Sequence, residues 1–140
     1  MSGVRVKARP TGAEAQVGRH GAPTVVSATG GNLDLVAAGS QPGFNPVDLL
    51  YASLSACMVL SARIAASQLG VLDQFSAAVA RVSGEKAEGE TSRIAGITVV
   101  LEITGDLDED TRQAIGRKAE DICTISNTLH SSPEIRFDIL

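Results

Sequence analysis

Cysteine and aromatic residues are scarce in this 140-residue sequence. It has two cysteines, no tryptophan, one tyrosine and three phenylalanines, so aromatic residues make up only 3% of the chain. A hydrophobic core must therefore be built mainly from alanine, valine, isoleucine and leucine. The two cysteines and two histidines lie far apart and show no CxxC spacing, which argues against a zinc site. We predict no metal and no other cofactor.

The sequence also has no excess of basic over acidic residues. The chain has 12 basic and 16 acidic residues, a net charge of −4, whereas a nucleic-acid-binding domain needs a basic face. No stretch free of polar residues reaches the roughly 20 residues that span a bilayer, and residues 1–7 alternate polar and apolar without a signal-peptide core. We therefore predict a cytoplasmic protein with no nucleic-acid or membrane partner, in a compartment where structural disulfides are rare.

Length and patterning favour a single domain of mixed α and β structure covering residues 1–140. Hydrophobic residues make up 44% of the chain and charged residues 20%, which is a globular composition. Alternating segments bounded by glycine and proline predict strands at residues 4–8, 24–28, 32–37, 75–82, 94–103 and from 133 onwards, with 13–17 as a possible partner of the first. Together with two helices, the predicted order is β-β-β-α-β-β-α-β, an α+β fold.

Capping residues locate the two helices. Asn45 is a suitable N-cap, Pro46 fits the first helical position, and Asp48 places negative charge in the first turn. This helix should continue to about residue 69 and end at Gly70. One face of it is predicted to carry residues at three- and four-residue steps: Leu50, Leu54, Cys57, Ser61 and Ile64. The second helix should begin after Asp108 and run to about residue 123.

The two cysteines lie in segments that suit a specific role. Cys57 follows an Ala- and Ser-rich stretch of the first helix, and Cys123 stands where the second helix ends. They are 66 positions apart, so only the fold can bring them together. If it does, the pair can cycle between dithiol and disulfide. The alternative from the residues alone is a pair of buried, unreactive thiols, because free cysteine is among the most buried residue types.

Two motifs in this order resemble the OsmC/Ohr family, which comprises osmotically induced protein C and the organic hydroperoxide resistance proteins. The first is the Asn-Pro-x-acid-Leu-Leu opening at residues 45–50, with the helix that reaches Cys57 and stops at Gly70. The second is Cys-x-x-Ser-Asn-x-Leu at residues 123–129. The resemblance covers roughly residue 44 to the C-terminus, and the early strands are compatible with it.

The resemblance implies an OsmC-like fold, in which a long central helix packs on antiparallel sheets. It further implies an intertwined homodimer with two active sites at the subunit interface. Cys57 matches the peroxidatic cysteine of the family and Cys123 the resolving cysteine. Members of the family resemble thiol peroxidases that reduce organic hydroperoxides in stress responses and are recharged by a dithiol such as a lipoyl group. An apolar pocket that favours alkyl or fatty-acid hydroperoxides is expected from Phe44, Leu50, Leu54 and Met58.

Activation of Cys57 needs a source of positive charge. This residue lies about twelve positions into its helix, beyond the reach of that helix's dipole, so we expect a cationic partner. In the hydroperoxide resistance branch, the resemblance implies an arginine held by a glutamate ten positions before the cysteine, where this chain has Val47. Asp48, nine positions before, points away from the Cys57 face and is interpreted as a helix-start residue. The chain therefore resembles a general OsmC-type member.

Arg19, from the early strand region, is our candidate for the activating cation. Arg9 lies in the same region and stays open as an alternative, and a turn position such as that of Arg19 is also typical of a solvated charge. Arg63 lies about 240° round the helix from the first cysteine, so it does not easily reach the thiol of its own subunit. We interpret His20 and His130 as surface or cap residues.

Two further functions remain open from the sequence. The missing acid at Val47 is compatible with a non-catalytic dimeric OsmC-like module that binds a small apolar or thiol-containing ligand without turnover. A stress-related protein with inert buried thiols is the third possibility. The three differ in the expected reactivity of Cys57, which is high only in the peroxidase.

Overall fold

The computed structural model describes residues 9–89 and 91–140. The strands are β1 (Ala13–Gln16), β2 (Thr24–Ser27), β3 (Asn32–Asp34), β4 (Phe75–Lys86) and β5 (Ile94–Gly105). The helices are α1 (Pro46–Gln68), α2 (Glu109–Ile122) and α3 (Thr124–Ser131), with a short 3-10 helix at Leu72–Gln74. This mixture confirms the α+β class. The chain divides after Leu49 into two compact units, and the single domain stays a prediction.

The first unit contains a three-stranded antiparallel sheet in the order β1-β2-β3. Ala13 pairs with Ser27, and Val25 pairs with Leu33. The turn between β2 and β3 contains Gly30 with φ +94°, a backbone conformation that favours glycine. The predicted strands near residues 24 and 32 are confirmed in shorter form. The strand at 13–16 pairs with β2, while the predicted strand at residues 4–8 lies outside the described residues.

In the second unit, β4 and β5 form the predicted antiparallel hairpin. Alternate residues of each strand turn toward the helices. They are Ala78, Ala80, Val82, Ile97, Val99, Leu101 and Ile103. The outward face is solvent-exposed and carries an ion pair between Arg81 and Glu102 at 3.1 Å, beside the exposed Val79 and Val100. This alternation is what a hairpin with one solvated face requires.

The ends of α1 are fixed by local hydrogen bonds. The Asn45 N–H donates to the Asp48 carboxylate at 3.0 Å, and the Asp48 N–H donates to the Asn45 side-chain oxygen at 2.8 Å. This reciprocal cap confirms the interpretation of both residues as helix-start residues. At the other end, Gly70 has φ +75°, and the Val71 N–H donates to the Ala66 carbonyl at 2.9 Å. This is the Schellman arrangement, in which glycine ends the helix.

The core of the second unit lies between α1, α2 and β5. Its buried α1 residues are mostly small or flexible: Leu54, Met58, Ala62, Ala65 and Ala66. They pack against Ile103, Leu107, Ile115 and Ala119. Ile115 and Ala119 of α2 are completely buried in this cluster. The predicted helix face is wrong at Ile64, which is exposed, because the buried stripe follows the alanines instead.

α1 is long and apolar enough to cross a membrane by length and composition. It has 23 residues and a most apolar window of mean hydropathy 1.6, a third of which is buried in the structure. One such helix is weak evidence for a membrane span, because the core helix of a water-soluble fold passes the same test.

The C-terminal segment departs from the predicted order. α2 begins as predicted, with the Asp108 side chain accepting from the Thr111 N–H at 2.7 Å. However, the strand expected from residue 133 onwards is not formed, and the apolar residues Ile135, Phe137 and Ile139 are 83–86% exposed. A strand needs a neighbouring edge to satisfy its backbone groups. Among the described residues, none pairs with this segment.

Candidate active site

The fold brings the two cysteines together. Cys57 lies in the middle of α1 and is half-buried, whereas Cys123, at the junction of α2 and α3, is fully buried. Both are free thiols, and they are close enough that Cys123 lowers the pKa of Cys57 while Cys57 raises the pKa of Cys123. Cys123 also belongs to the hydrophobic core, with Cys57 packed against it. Residues that are distant in sequence therefore form one local pair of thiols.

Cys123 separates two helices and caps both. Its N–H donates to the Ala119 carbonyl at 3.0 Å, which closes α2. Its backbone is extended, with φ −70° and ψ 108°, so the chain changes direction before α3 begins. Its sulfur then accepts from the Ser126 N–H at 3.5 Å, in the position that serine or aspartate usually takes as N-cap. The first N–H groups of α3 consequently face the thiol pair.

The environment of Cys57 favours its thiolate. Burial is the largest single influence and opposes ionisation, but hydrogen bonds to the sulfur together outweigh it and lower the pKa of Cys57. These bonds come from the backbone N–H of Ile125, the Cys123 thiol, the Ser61 hydroxyl and the backbone N–H of Thr124. Two of the four donors are the first N–H groups of α3, where the helix dipole also stabilises negative charge.

Cys123 is shifted in the opposite direction. Burial raises the pKa of its thiol most, and the neighbouring Cys57 raises it further by hydrogen bonding and by charge. The N–H groups of Ser126 and Ile125 only partly oppose this increase. The two thiols therefore differ: ionisation is favoured at the half-buried Cys57 and disfavoured at the buried Cys123.

A groove of about 1150 Å³ lies within the second unit, and its lining includes Met58 and Ser126, close in sequence to the two cysteines. Its walls include Leu50, Leu54 and Met58 from α1, three of the four residues predicted to form a pocket. The apolar inner face of β5 also lines it, as do Ser126 and Leu129 of α3. Charged side chains of α2 and α3 border this apolar surface: Glu109, Arg112, Arg117, Glu120 and His130. The groove can therefore hold an apolar chain that carries a polar end.

Other predicted site residues lie in the first unit. Arg19 stands in the connection between β1 and β2 and is exposed, so its role as activating cation stays a prediction. Phe44 precedes α1 and is also exposed; its carbonyl accepts from the Val36 N–H at 3.0 Å. His20 and His130 are both exposed, as expected of surface residues. Over the described part of the chain, no three His, Cys, Asp or Glu side chains are grouped to hold a metal ion.

Sequence reasoning missed two sources of thiolate stabilisation. It considered only the dipole of the helix that contains Cys57, whereas the N–H groups in contact with the sulfur begin a different helix. It also placed Ser61 on the Cys57 face without assigning it a role. The sequence did contain a signal for the N-terminus of α3, because Cys-x-x-Ser at residues 123–126 has the spacing of an N-cap and its N3 partner.

Comparison with known proteins identifies the family of this fold. A family model described as OsmC-like protein matches residues 38–138. One similar solved structure is an organic hydroperoxide resistance protein OsmC from Legionella pneumophila, also described as a predicted redox protein and regulator of sulfide bond formation. It is 26% identical in sequence, with a TM-score of 0.69 over 89% of this chain and 93% of that chain. The organic hydroperoxide resistance protein OhrB of Bacillus subtilis is 26% identical, with a TM-score of 0.66 over 88% and 92% of the two chains.

An OsmC-like protein from Mycoplasma pneumoniae supports the fold alone, because its sequence identity is 19%. Its TM-score is 0.76, over 89% of this chain and 90% of that chain. A search of curated protein sequences returned no match. Since the family model covers most of the chain and the described elements match solved OsmC and Ohr structures, the protein belongs to the OsmC-like family.

Proposed function

We propose that the protein is a thiol-dependent peroxidase that reduces organic hydroperoxides through a Cys57–Cys123 dithiol–disulfide cycle. The observation that carries the proposal is the pair itself. A half-buried thiol with a lowered pKa lies close to a buried thiol with a raised pKa. Peroxide reduction needs this asymmetry, because one sulfur must attack the peroxide as a thiolate while the other stays protonated until the sulfenic acid has formed.

The first step is attack of the Cys57 thiolate on one oxygen of the hydroperoxide. An S–O bond forms, the O–O bond breaks, and the alkoxide takes up a proton and leaves as an alcohol. Cys57 is then a sulfenic acid, oxidised by two electrons. The N–H groups of Thr124 and Ile125 hold the thiolate before the attack.

The second step is condensation of the sulfenic acid with Cys123. The Cys123 sulfur attacks the Cys57 sulfur, an S–S bond forms, and the hydroxyl group leaves as water with the thiol proton. Since Cys123 already contacts Cys57, the disulfide needs only a local rearrangement. Rapid closure protects Cys57 from further, irreversible oxidation.

The third step is reduction by an external dithiol, such as a lipoyl group. One of its sulfurs attacks the disulfide, and its second sulfur then displaces the protein, which returns both cysteines to thiols. Cys57 is the sulfur within reach, because Cys123 is fully buried. Cys123 is thus the leaving group, and the Ser126 N–H is in place to stabilise it as it departs.

The groove supports an organic rather than an inorganic peroxide as substrate. Leu50, Leu54 and Met58 offer apolar surface to an alkyl chain, which hydrogen peroxide lacks. We include Phe44 in this pocket and Arg19 as an additional activating cation on the basis of the family resemblance.

A homodimer completes the proposal. Leu60 and Ile64 form an exposed apolar face on α1, and the C-terminal segment exposes Ile135, Phe137 and Ile139. A monomer would leave this apolar surface in water, whereas a second copy can cover it.

Single substitutions test the enzyme. With an alkyl hydroperoxide and a dithiol, Cys57→Ser should abolish turnover, and Cys123→Ser should allow one oxidation of Cys57 but no disulfide. Ser55→Ala, at an α1 residue whose hydroxyl bonds the Ala52 carbonyl, is the control and should turn over normally. Full activity in Cys57→Ser would refute the peroxidase. Tight ligand binding without turnover by the unmodified protein would favour the non-catalytic module.

A further inference from the structure

Buried polar side chains are rare in this protein and concentrate at the thiols. Of the residues that the structure describes, two polar ones are buried, Ser61 at 4% exposure and Ser126 at 9%. Ser126 donates its N–H to the Cys123 sulfur, and Ser61 lies next to Cys57. A buried hydroxyl destabilises an apolar core unless it has a hydrogen-bond partner. The Cys57 sulfur, as a hydrogen-bond acceptor, therefore explains the position of Ser61 among leucine and alanine better than packing does.

Helix geometry directs Ser61 at Cys57. The two residues are four positions apart on α1, about 6 Å along the axis and about 40° apart around it. Helical side chains lean toward the N-terminus, so the Ser61 hydroxyl covers the turn that carries Cys57. The Ser61 hydroxyl is also among the groups that lower the pKa of Cys57. By contrast, the hydroxyls of Ser53 and Ser55 donate to helix carbonyls three residues back, at 2.8 and 3.0 Å.

We propose that Ser61 is a catalytic hydrogen-bond donor, which stabilises the Cys57 thiolate and orients its sulfur for attack on the peroxide. This inference rests on the proposed peroxidase function. The N–H groups of α3 approach the sulfur from Thr124 and Ile125, and Ser61 adds a donor from the helix that contains Cys57 itself. Val47, at the position of the family's expected acid, has no group that ionises or donates. Ser61 supplies a hydrogen-bond donor on α1, which Val47 does not.

The matched pair Ser61→Thr and Ser61→Val tests this role. Threonine and valine have nearly the same shape, but only threonine keeps the hydroxyl. The measurement is the rate of Cys57 alkylation across pH, with the modified cysteine assigned by peptide mass spectrometry. Losing one hydrogen bond to a charged sulfur should slow Cys57 alkylation at pH 7 by about threefold to tenfold in Ser61→Val and shift its profile to higher pH, whereas Ser61→Thr should stay near the unmodified protein.

Ser61→Ala should behave like Ser61→Val, and Ser55→Ala should leave the profile unchanged. Thermal unfolding of every variant verifies that the fold is retained. Coincident profiles for Ser61→Thr and Ser61→Val would overturn the proposal, since the hydroxyl would then be merely structural. Alkylation requires no hydroperoxide, so a normal Ser61 effect without peroxidase turnover would refute the enzyme while leaving the donor role intact.

Discussion

The N-termini of α1 and α3 are capped in different ways. At α1, the Asn45 and Asp48 side chains each accept one N–H from the other residue. At α3, the acceptors are two sulfur atoms. Cys123 accepts from Ser126, and Cys57 receives the N–H groups of Ile125 and Thr124.

The two helix N-termini stabilise different groups. A carboxylate and an amide are strong acceptors, and they use the N–H groups of α1 for stability. A thiol is a weak acceptor, whereas a thiolate is a strong one, so α3 stabilises the ionised form of Cys57. The helix that carries Cys57 is therefore not the helix whose N-terminus stabilises its thiolate.

The largest expected effect is a difference in reactivity between the two thiols. Only the thiolate reacts with iodoacetamide, and Cys57 has a lowered pKa while Cys123 has a raised one and is buried. At pH 7, we expect Cys57 to be alkylated at least about ten times faster than Cys123. As pH falls through the pKa of Cys57, its rate should fall. Equal labelling of both cysteines, measured by peptide mass spectrometry, would contradict this arrangement.

The second-largest expected effect is a change at the helix caps when the two thiols are oxidised to a disulfide. Formation of the disulfide replaces the thiolate acceptor of the α3 N–H groups by a neutral and weaker one, but it leaves the Asn45–Asp48 cap of α1 unchanged. We expect amide hydrogen exchange at the start of α3 to accelerate by about threefold to tenfold on oxidation with diamide, since this is the usual effect of losing a cap. The first turn of α1 is the internal reference. Cys123→Ser, which cannot form the disulfide, should show no such change, and equal acceleration in both helices would indicate general loosening instead.

Local signals explain how much of the fold could be predicted. The Asn45 cap, the Gly70 stop and the alternation along β5 each depend on neighbours within a few residues. They need no tertiary information, so the elements that they define were predicted nearly as observed. The pairing of Cys57 with Cys123 did not follow from such signals, and only the family resemblance suggested it.

Tertiary contacts account for what could not be predicted. The α3 N–H groups reach Cys57 from a segment more than 60 positions away, and no local pattern encodes that approach. The face of α1 was misplaced at Ile64, because a helix rich in apolar residues all round gives little periodic signal. The alternation at residues 135–139 is typical of a strand, but a strand forms only when a partner edge is available.

A substitution at the first residue of α3 isolates the backbone contribution. Thr124→Pro removes one N–H donor to Cys57, while proline is tolerated at the first helical position and after an extended residue such as Cys123. We expect Cys57 alkylation at pH 7 to slow by about twofold to threefold, one donor among several being lost. Thr124→Ala keeps the N–H and is the matched control. An equal decrease in both variants would assign the effect to the threonine side chain.

The smallest effect on Cys57 should come from the α1 cap. Asn45→Ala removes the acceptor of the Asp48 N–H, which should lower the free energy of unfolding by about 1 kcal/mol in urea denaturation. Cys57 lies about 18 Å further along the helix, beyond the range in which a helix terminus influences a thiol. Its alkylation profile should therefore coincide with that of the unmodified protein. A shift of the Cys57 alkylation profile to higher pH in Asn45→Ala would mean that the N-terminus of α1 also stabilises the Cys57 thiolate. The assignment of that stabilisation to α3 alone would then be wrong.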